Sequence, residues 1–138
     1  SLKFESMVYD RQLYDCLAEN RAALDATLSL SYSELESLLN VVPSSLYAVK
    51  QNENILASAV VLHLKENYSY VLYWGDIPDY RALNPMAFLV SNIYDELYLN
   101  NNIYYLELGT SYDDDGLQLG LFNFKESIGA SPDLRIIL

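Results

Sequence analysis

Residues 45–74 read SLYAVKQNENILASAVVLHLKENYSYVLYW, and this stretch decides the fold class. It contains three apolar runs, at 45–50, 55–64 and 68–74, that are rich in the β-branched and aromatic side chains that favour strands. The polar segments QNEN and KEN separate the runs, and both are typical of tight turns. The pattern therefore predicts a meander of three antiparallel strands.

Two helices are predicted on the amino-terminal side of the meander, after a short strand at 3–9. The first covers about residues 10–25, with Asp10 as its cap. The buried side of this helix is predicted to carry Leu13, Cys16, Leu17 and Leu24. The second helix begins with Ser31 and Glu34, which form the S-x-x-E pattern of a capping box, and a proline ends it.

Helices and strands are also predicted on the carboxyl-terminal side. The loop GDIPDYRALNP leads to a helix near 85–100. Its buried stripe is predicted to consist of Met86, Leu89, Ile93 and Leu97. A strand at 103–108, a polar loop at 109–116, a short helix ending at Gly129 and a last strand at 134–138 follow. The order β-α-α-β-β-β-α-β-α-β predicts a mixed α/β fold, with a mostly antiparallel sheet flanked by helices.

The length and composition are those of one globular domain covering residues 1–138. The chain has 138 residues, of which 51% are hydrophobic and 20% charged. No apolar run reaches the roughly 18 residues of a membrane span. The lone Cys16 excludes an internal disulfide and a cysteine-based zinc site, and it fits a reducing cytoplasm. The first residue is not Met, which leaves open that the chain is the C-terminal part of a longer protein.

The charge balance limits the partners that are expected. Eight basic and nineteen acidic residues give a net charge of −11. Nucleic-acid affinity comes largely from Lys and Arg contacts with phosphate, so DNA is not expected as a partner. No residue pattern decides the oligomeric state.

The segment YLELGTSYDDDGLQLGLFNFKESIGA, at 105–130, contains a chain of short motifs. They are E-x-G-x-S, a glycine-leucine step and F-K-x-x-x-G-A, formed by Glu107, Gly109, Ser111, Gly120, Leu121, Phe124, Lys125, Gly129 and Ala130. The stretch YVLYWGDIPDYRALNPMAFL adds an aromatic strand, a tyrosine-arginine step and a proline that opens a helix. With the element order, these motifs resemble the GNAT acyltransferase superfamily, and within it the bacterial-type FemABX-like aminoacyltransferases of peptidoglycan bridges. The likeness covers roughly residues 27–138.

The resemblance implies an activity and a site. Members of this superfamily catalyse aminolysis, so acyl-CoA or aminoacyl-tRNA is the implied donor and a small-molecule or peptide amine the implied acceptor. The implied cleft lies where the strands at 68–74 and 103–108 separate. Lys125 would stabilise negative charge near the donor, and Ser111 would bind an anionic or carbonyl oxygen. The residues expected to line the cleft are Tyr73, Trp74, Tyr80, Arg81, Gly109, Tyr112 and Phe124.

Each of these assignments has a structural alternative. Lys125 could be a surface lysine paired with Glu126 or Asp133, and Ser111 could belong to an ordinary turn before a helix. The tyrosines could be core residues, since aromatic side chains in strands usually are. The lone His63 could act as a general base, although a partly buried structural imidazole is favoured.

The run Asp113–Asp114–Asp115 could hold a divalent cation through its oxygens. It lacks the spacing of an EF-hand loop, so a solvated acidic loop is favoured. No metal site is therefore predicted.

The loop after Trp74 departs from the pattern of CoA-dependent GNAT enzymes. Those enzymes carry Q/R-x-x-G-x-G/A, whose backbone amides approach the pyrophosphate. Here only Gly75 is a glycine, Asp76 and Asp79 would repel phosphate, and two prolines lack amide donors. Arg81 is the remaining anion contact, so CoA is not expected to bind in the usual manner.

Three hypotheses about function follow. The first is an acyl- or aminoacyltransferase domain that works alone or with a second GNAT-like domain. The second is a GNAT-fold module that binds an amine or peptide without turnover. The third is a CoA-dependent N-acetyltransferase with an atypical phosphate loop.

Overall fold

The computed structural model describes residues 1–100, 103, 105–108, 112–113 and 116–117. The chain divides into two compact units, Ser1–Glu107 and Leu108–Leu138. The strands and α-helices of the first unit are β1 (Lys3–Ser6), α1 (Arg11–Ala22), α2 (Tyr32–Val41), β2 (Ser44–Gln51), β3 (Asn54–Lys65), β4 (Tyr68–Asp76), α3 (Pro85–Asp95) and β5 (Tyr105–Glu107). A 3-10 helix, Pro78–Leu83, precedes α3, and a π-helical turn, Glu96–Asn100, follows it. In the second unit, β6 (Tyr112–Asp113) pairs with β7 (Gly116–Leu117).

The first unit is built on a five-stranded sheet of order β1-β2-β3-β4-β5. Its first three pairings are antiparallel, and β5 joins β4 in parallel. Asn52 and Asn67 adopt positive φ angles of 57° and 63° in the two turns of the meander, a conformation that asparagine tolerates better than most residues. The predicted meander and the predicted fold class are confirmed.

The beginning of α1 agrees with the prediction, and its end does not. Asp10 is the N-cap, and its Oδ1 accepts a hydrogen bond of 3.0 Å from the backbone N–H of Leu13. Leu13, Cys16 and Leu17 are buried as predicted. The placement of Leu24 on the buried side was wrong, because α1 ends at Ala22 and the Leu24 side chain is 67% exposed.

Helix α2 begins with the predicted capping box. The backbone N–H of Glu34 donates to Ser31 Oγ at 3.2 Å, and the N–H of Ser31 donates to Glu34 Oε1 at 2.9 Å. Leu35, one residue further, is fully buried. The capping box therefore sets where α2 begins, so that Leu35 lies on the buried side of the helix.

Helices α1 and α2 share one apolar core with the meander. Its buried members are Leu13, Leu17, Leu35, Leu46, Val60, Leu62 and Tyr73. Helix α3 packs against β2 and β3 through its own buried residues, which are Pro85, Leu89, Val90 and Ile93. Met86, predicted for the same stripe, is only partly buried, and Leu97 in the following π turn is buried.

One short hairpin is described in the carboxyl-terminal part of the chain. The loop predicted at 109–116 contains the hairpin of β6 and β7, in which Tyr112 pairs with Leu117 and Asp113 with Gly116. Aspartate and glycine favour tight turns, so a short hairpin is compatible with the polar composition. The helix predicted to end at Gly129 and the strand at 134–138 lie outside the described residues.

Candidate functional site

Strands β4 and β5 pair over a short distance, which ends at the last residue of β5. Tyr68 pairs with Tyr105, Ser69 with Leu106, and Tyr70 with Glu107, which is the last residue of β5. Strand β4 continues beyond this pair to Asp76. Within the described residues, no strand pairs with this part of β4 on the side of β5. The cleft that the sequence predicts between these two strands stays a prediction, and the described residues show only that β4 extends beyond its last pair with β5.

The hydroxyl of Tyr68 donates a hydrogen bond to Glu107 Oε2, which links β4 to the end of β5. The register between β3 and β4 also shifts here, because Val60 faces Tyr73 whereas Val61 faces Val71. Such a shift inserts an extra residue into β4 and bends the strand. The bend lies within the part of β4 that continues beyond β5.

Several backbone N–H groups of the loop after β4 already donate hydrogen bonds within the chain. Ile77 N–H donates to the Leu56 carbonyl at 2.8 Å, and Tyr80 N–H donates to the Ile77 carbonyl at 3.0 Å. The 3-10 helix then uses amides of its own by its i→i+3 pattern. It begins with Pro78, and α3 begins with Pro85, neither of which has an N–H.

A buried polar chain fastens this loop to α1. Asn20 Nδ2 donates to the backbone carbonyl of Asp76 at 3.1 Å and to its Oδ1 at 3.2 Å. Arg81 Nε donates to both carboxylate oxygens of Asp76, at 3.2 and 3.3 Å. Arg21 Nη1 donates to Asn20 Oδ1 at 2.8 Å. We call these four residues the Asn20 clamp.

The clamp changes how two of the sequence assignments are interpreted. Asp76, expected to repel phosphate, is 7% exposed and paired with Arg81, so its charge is largely compensated. Arg81, expected to be a free anion contact, already uses its Nε for Asp76, although its side chain is 54% exposed. Asn20 was missed by the sequence reasoning. The signal that could have indicated it is Gly75, because a glycine inside a strand often marks the close approach of another group.

Gly75 leaves the space that Asn20 occupies. A Cβ added at Gly75 would lie 2.5 Å from Asn20 Cγ and 2.6 Å from Asn20 Oδ1, which is closer than unbonded atoms approach. The thiol of Cys16 donates to the Gly75 carbonyl at 3.8 Å. Helix α1 thus contacts the end of β4 at a position where only glycine fits.

The remaining predicted cleft residues divide between the core, the surface and the part of the chain that is not described. Tyr73 is buried, and its hydroxyl bonds with Ser29 Oγ and accepts a 3.1 Å bond from Leu30 N–H. Trp74 is also buried, and Tyr80 is 36% exposed. For Tyr112 only the backbone of β6 is described. Gly109, Ser111, Phe124 and Lys125 lie outside the described residues.

Tyr80 lines an open cavity of about 370 Å³ between α1, the β2–β3 turn and the loop after β4. Four carboxylate side chains line it as well, contributed by Asp15, Glu19, Glu53 and Asp79. Their negative charge disfavours phosphate and favours a cationic group such as an ammonium. We call this the acidic cavity.

His63 joins three neighbouring strands. Its Nε2 lies 2.7 Å from Ser45 Oγ on β2, and its Nδ1 lies 2.7 Å from Ser69 Oγ on β4. Burial lowers the pKa of His63, so the imidazole is neutral at pH 7. The prediction of a partly buried imidazole is confirmed.

Cys16 lines the acidic cavity but is protected from reaction. Its side chain is 3% exposed, and burial raises the pKa of the thiol to about 12. Only about one molecule in 10⁴ then carries the reactive thiolate at pH 8. We expect the folded protein to react with a chromogenic disulfide reagent at least about 100-fold more slowly than the same chain in denaturing urea. Because Cys16 is the only cysteine, the colour released reports on it directly, and equal rates would contradict its burial.

Among the described residues, no helix combines the length and the apolar character needed to cross a bilayer. No three His, Cys, Asp or Glu side chains in that part of the chain are grouped so that they could hold a metal ion.

Comparison with solved structures identifies the fold. The chain is similar to a possible acetyltransferase from Clostridium difficile 630, with a TM-score of 0.73 and 11% identity over 99% of this chain and 95% of that one. It is similar to an aminoglycoside acetyltransferase from an uncultured soil metagenomic sample, solved in complex with sisomicin, with a TM-score of 0.71 and 13% identity over 99% and 93%. It is also similar to a ribosomal-protein-alanine N-acetyltransferase from Brucella melitensis biovar Abortus 2308, with a TM-score of 0.70 and 14% identity over 100% and 97%.

No protein-family model matches the chain, and no curated protein matches it. At the identities of the structural matches, the likeness establishes the fold, which is the GNAT fold.

Proposed function

We propose that this chain is an acyltransferase domain that transfers an acyl or aminoacyl group to the nitrogen of an amine. The observation that carries the proposal is that β4 continues to Asp76, beyond the Tyr70–Glu107 pair that is its last with β5. Backbone N–H and C=O groups that no neighbouring strand pairs with can bond to an extended ligand. We place the acyl donor along the β5 side of β4 between Val71 and Tyr73, where no described strand pairs with β4.

The transfer forms a C–N bond and breaks the thioester or ester bond of the donor. It needs donors for the developing oxyanion and a route for the proton of the amine. On the resemblance of the F-K-x-x-x-G-A and E-x-G-x-S segments to FemABX-like enzymes, we assign the first of these roles to Lys125 and Ser111. The donor is proposed to bind without the usual CoA pyrophosphate contacts, because the loop after β4 has few free amides.

The acidic cavity supports an amine as the acceptor. Asp79 and Tyr80 of the loop after β4 line it together with Asp15 and Glu19 of α1. Carboxylates concentrate cationic amines near the surface that carries them. The likeness to an aminoglycoside acetyltransferase and to an N-acetyltransferase is consistent with transfer to nitrogen.

The proposal is tested by looking for the product directly. The purified chain would be incubated with acetyl-CoA or an aminoacyl-tRNA, and with a lysine peptide, a polyamine or an aminoglycoside as acceptor. Mass spectrometry is expected to detect an acylated amine above the protein-free blank with at least one donor. If no acceptor gains an acyl group from any of the donors, the proposed activity is wrong.

Lys125→Ala is expected to lower the transfer rate by roughly 100-fold and to leave the circular dichroism spectrum unchanged, because an ammonium group that stabilises an oxyanion contributes on that scale. Lys65→Ala removes an exposed lysine at the end of β3 and is the matched control. An unchanged rate in Lys125→Ala would remove Lys125 from the mechanism.

The acidic cavity also favours a second candidate function, a GNAT-fold module that binds an amine or peptide without turnover. The Asn20 clamp is compatible with it, since its hydrogen bonds hold the loop after β4 through contacts within the chain. Calorimetric binding of a polyamine, together with the absence of product in the transfer assay, would favour this function over the first.

A further inference from the structure

Two walls of the acidic cavity belong to distant parts of the chain. One is the side of α1 that carries Asp15 and Glu19, and the other is the segment 77–80 of the loop after β4, which contributes Asp79 and Tyr80. We call this segment the loop wall. The width of the cavity, and with it the separation of the carboxylates on the two sides, depends on how the loop wall is held against α1.

An ion pair closes the loop wall at its base. Asp76 precedes the wall and Arg81 follows it, and Arg81 Nε donates to both carboxylate oxygens of Asp76, at 3.2 and 3.3 Å. Within this closure, the N–H of Tyr80 donates to the Ile77 carbonyl at 3.0 Å. The ion pair therefore joins the two ends of the segment that carries Asp79.

The same ion pair is anchored to the opposite wall. Asn20 follows Glu19 on α1, and its Nδ2 donates to the Asp76 carbonyl at 3.1 Å and to Asp76 Oδ1 at 3.2 Å. One turn earlier on α1, the Cys16 thiol donates to the Gly75 carbonyl. Asn20 and Asp76 are 8% and 7% exposed, and hydrogen bonds that are shielded from water are stronger than exposed ones. Buried contacts therefore fix the loop wall relative to α1.

We propose that Arg81 and Asn20 are positioning residues for the amine acceptor, because they hold Asp79 and Tyr80 where these two residues bind a cationic amine. The inference rests on the function proposed above, in which the acidic cavity binds the acceptor. A carboxylate and an aromatic ring both attract an ammonium group at short distance. Neither Arg81 nor Asn20 is among the described residues that line the cavity, so we assign them no contact with the amine.

Arg81→Ala separates a positioning role from a charge effect, because the two predict opposite results. If Arg81 acted only through its charge, its removal would lessen the repulsion of a cation, and an amine would bind more tightly. We expect instead that the KM for spermidine rises about tenfold with little change in kcat, because contacts with a carboxylate and an aromatic ring are both weakened. Calorimetry with spermidine alone should show a similar rise in Kd.

Two further variants complete the comparison. Arg11→Ala is the matched control, since Arg11 Nε pairs with Asp15 of the cavity at 3.2 Å, within α1. It removes the same charge and should bind spermidine as tightly as the wild type or more tightly. Asn20→Ala changes no charge and should raise both KM and Kd, as Arg81→Ala does. Circular dichroism of each variant verifies that it is folded at the temperature of the assay.

The outcomes distinguish this inference from the proposed function. If Arg81→Ala binds spermidine as tightly as the wild type or more tightly, the positioning role is wrong and the acyltransferase assignment is unaffected. If the wild-type chain binds spermidine but transfers nothing from any of the donors, the assignment is wrong, and the calorimetric comparison still decides the positioning role. If the wild type does not bind spermidine, the positioning role is wrong as well.

Discussion

Replacing Gly75 with alanine is expected to lower the free energy of unfolding by about 2–4 kcal/mol. The new Cβ would lie 2.5 Å from Asn20 Cγ, so the asparagine must move. Its bonds to the backbone and carboxylate of Asp76 would then be lost, and that carboxylate is 7% exposed. A buried charged group that loses a hydrogen bond costs more than an exposed one. At an unhindered strand position the same substitution would be neutral or stabilising, so a large loss isolates the contact with Asn20.

A double-mutant cycle with Asn20→Gly tests the cause. Asn20→Gly removes the side-chain atoms that the new Cβ would meet, and by itself it lowers stability through the lost bonds and the helix propensity of glycine. In this background, alanine at position 75 should cost much less. The coupling energy should be about 1–3 kcal/mol, measured by urea denaturation of all four proteins with unchanged m-values. If Gly75→Ala costs the same in both backgrounds, the clash is not with Asn20.

The elements of the first unit could be predicted because their signals are local. The capping box of α2 needs only Ser31 and Glu34, and the turns of the meander need only a few polar residues. Leu24 was assigned to α1 wrongly, because its spacing continues the apolar pattern although the helix has already ended. The spacing of apolar residues does not show where a helix ends unless a glycine or proline follows it.

The candidate site depends on contacts between residues that are distant in the chain, and these were harder to predict. Tyr73, in a strand, and Tyr80, in the loop after it, were both assigned to the cleft, because an aromatic residue gives the same signal in a core and in a cleft. Tyr73 is buried against the α1–α2 loop, and Tyr80 borders the acidic cavity. The Asn20 clamp was missed for the same reason, because neither Asn20 nor Asp76 belongs to a motif. His63 was predicted to be partly buried, but its two serine partners were not predicted. They come from the strands on either side, and the register that brings them opposite His63 is set by strand pairing.

Titration with acetyl-CoA is expected to show a Kd above about 1 mM, whereas a CoA-dependent enzyme would bind it at about 1 μM, a difference of about 4 kcal/mol. The physical reason is that a pyrophosphate bound in the usual manner needs backbone N–H donors from the loop after β4. Ile77 and Tyr80 have already given their N–H groups to carbonyl oxygens, and prolines begin both helical segments that follow. The exposed carboxylate of Asp79 would lie near the phosphates and repel them.

Isothermal calorimetry at low salt makes this comparison, because screening is then weakest and an attraction to Arg81 would be strongest. The opposite result would also be informative. Micromolar binding of acetyl-CoA would contradict this prediction and favour the hypothesis of a CoA-dependent N-acetyltransferase with an atypical phosphate loop. Arg81→Ala should then weaken binding by roughly tenfold or more, as the loss of a charged hydrogen bond does. Arg11→Ala is the matched control, since Arg11 pairs with Asp15 at the other end of α1, away from Arg81. Micromolar binding that survives Arg81→Ala would place the phosphates elsewhere and would leave no role for the loop after β4 in holding the donor.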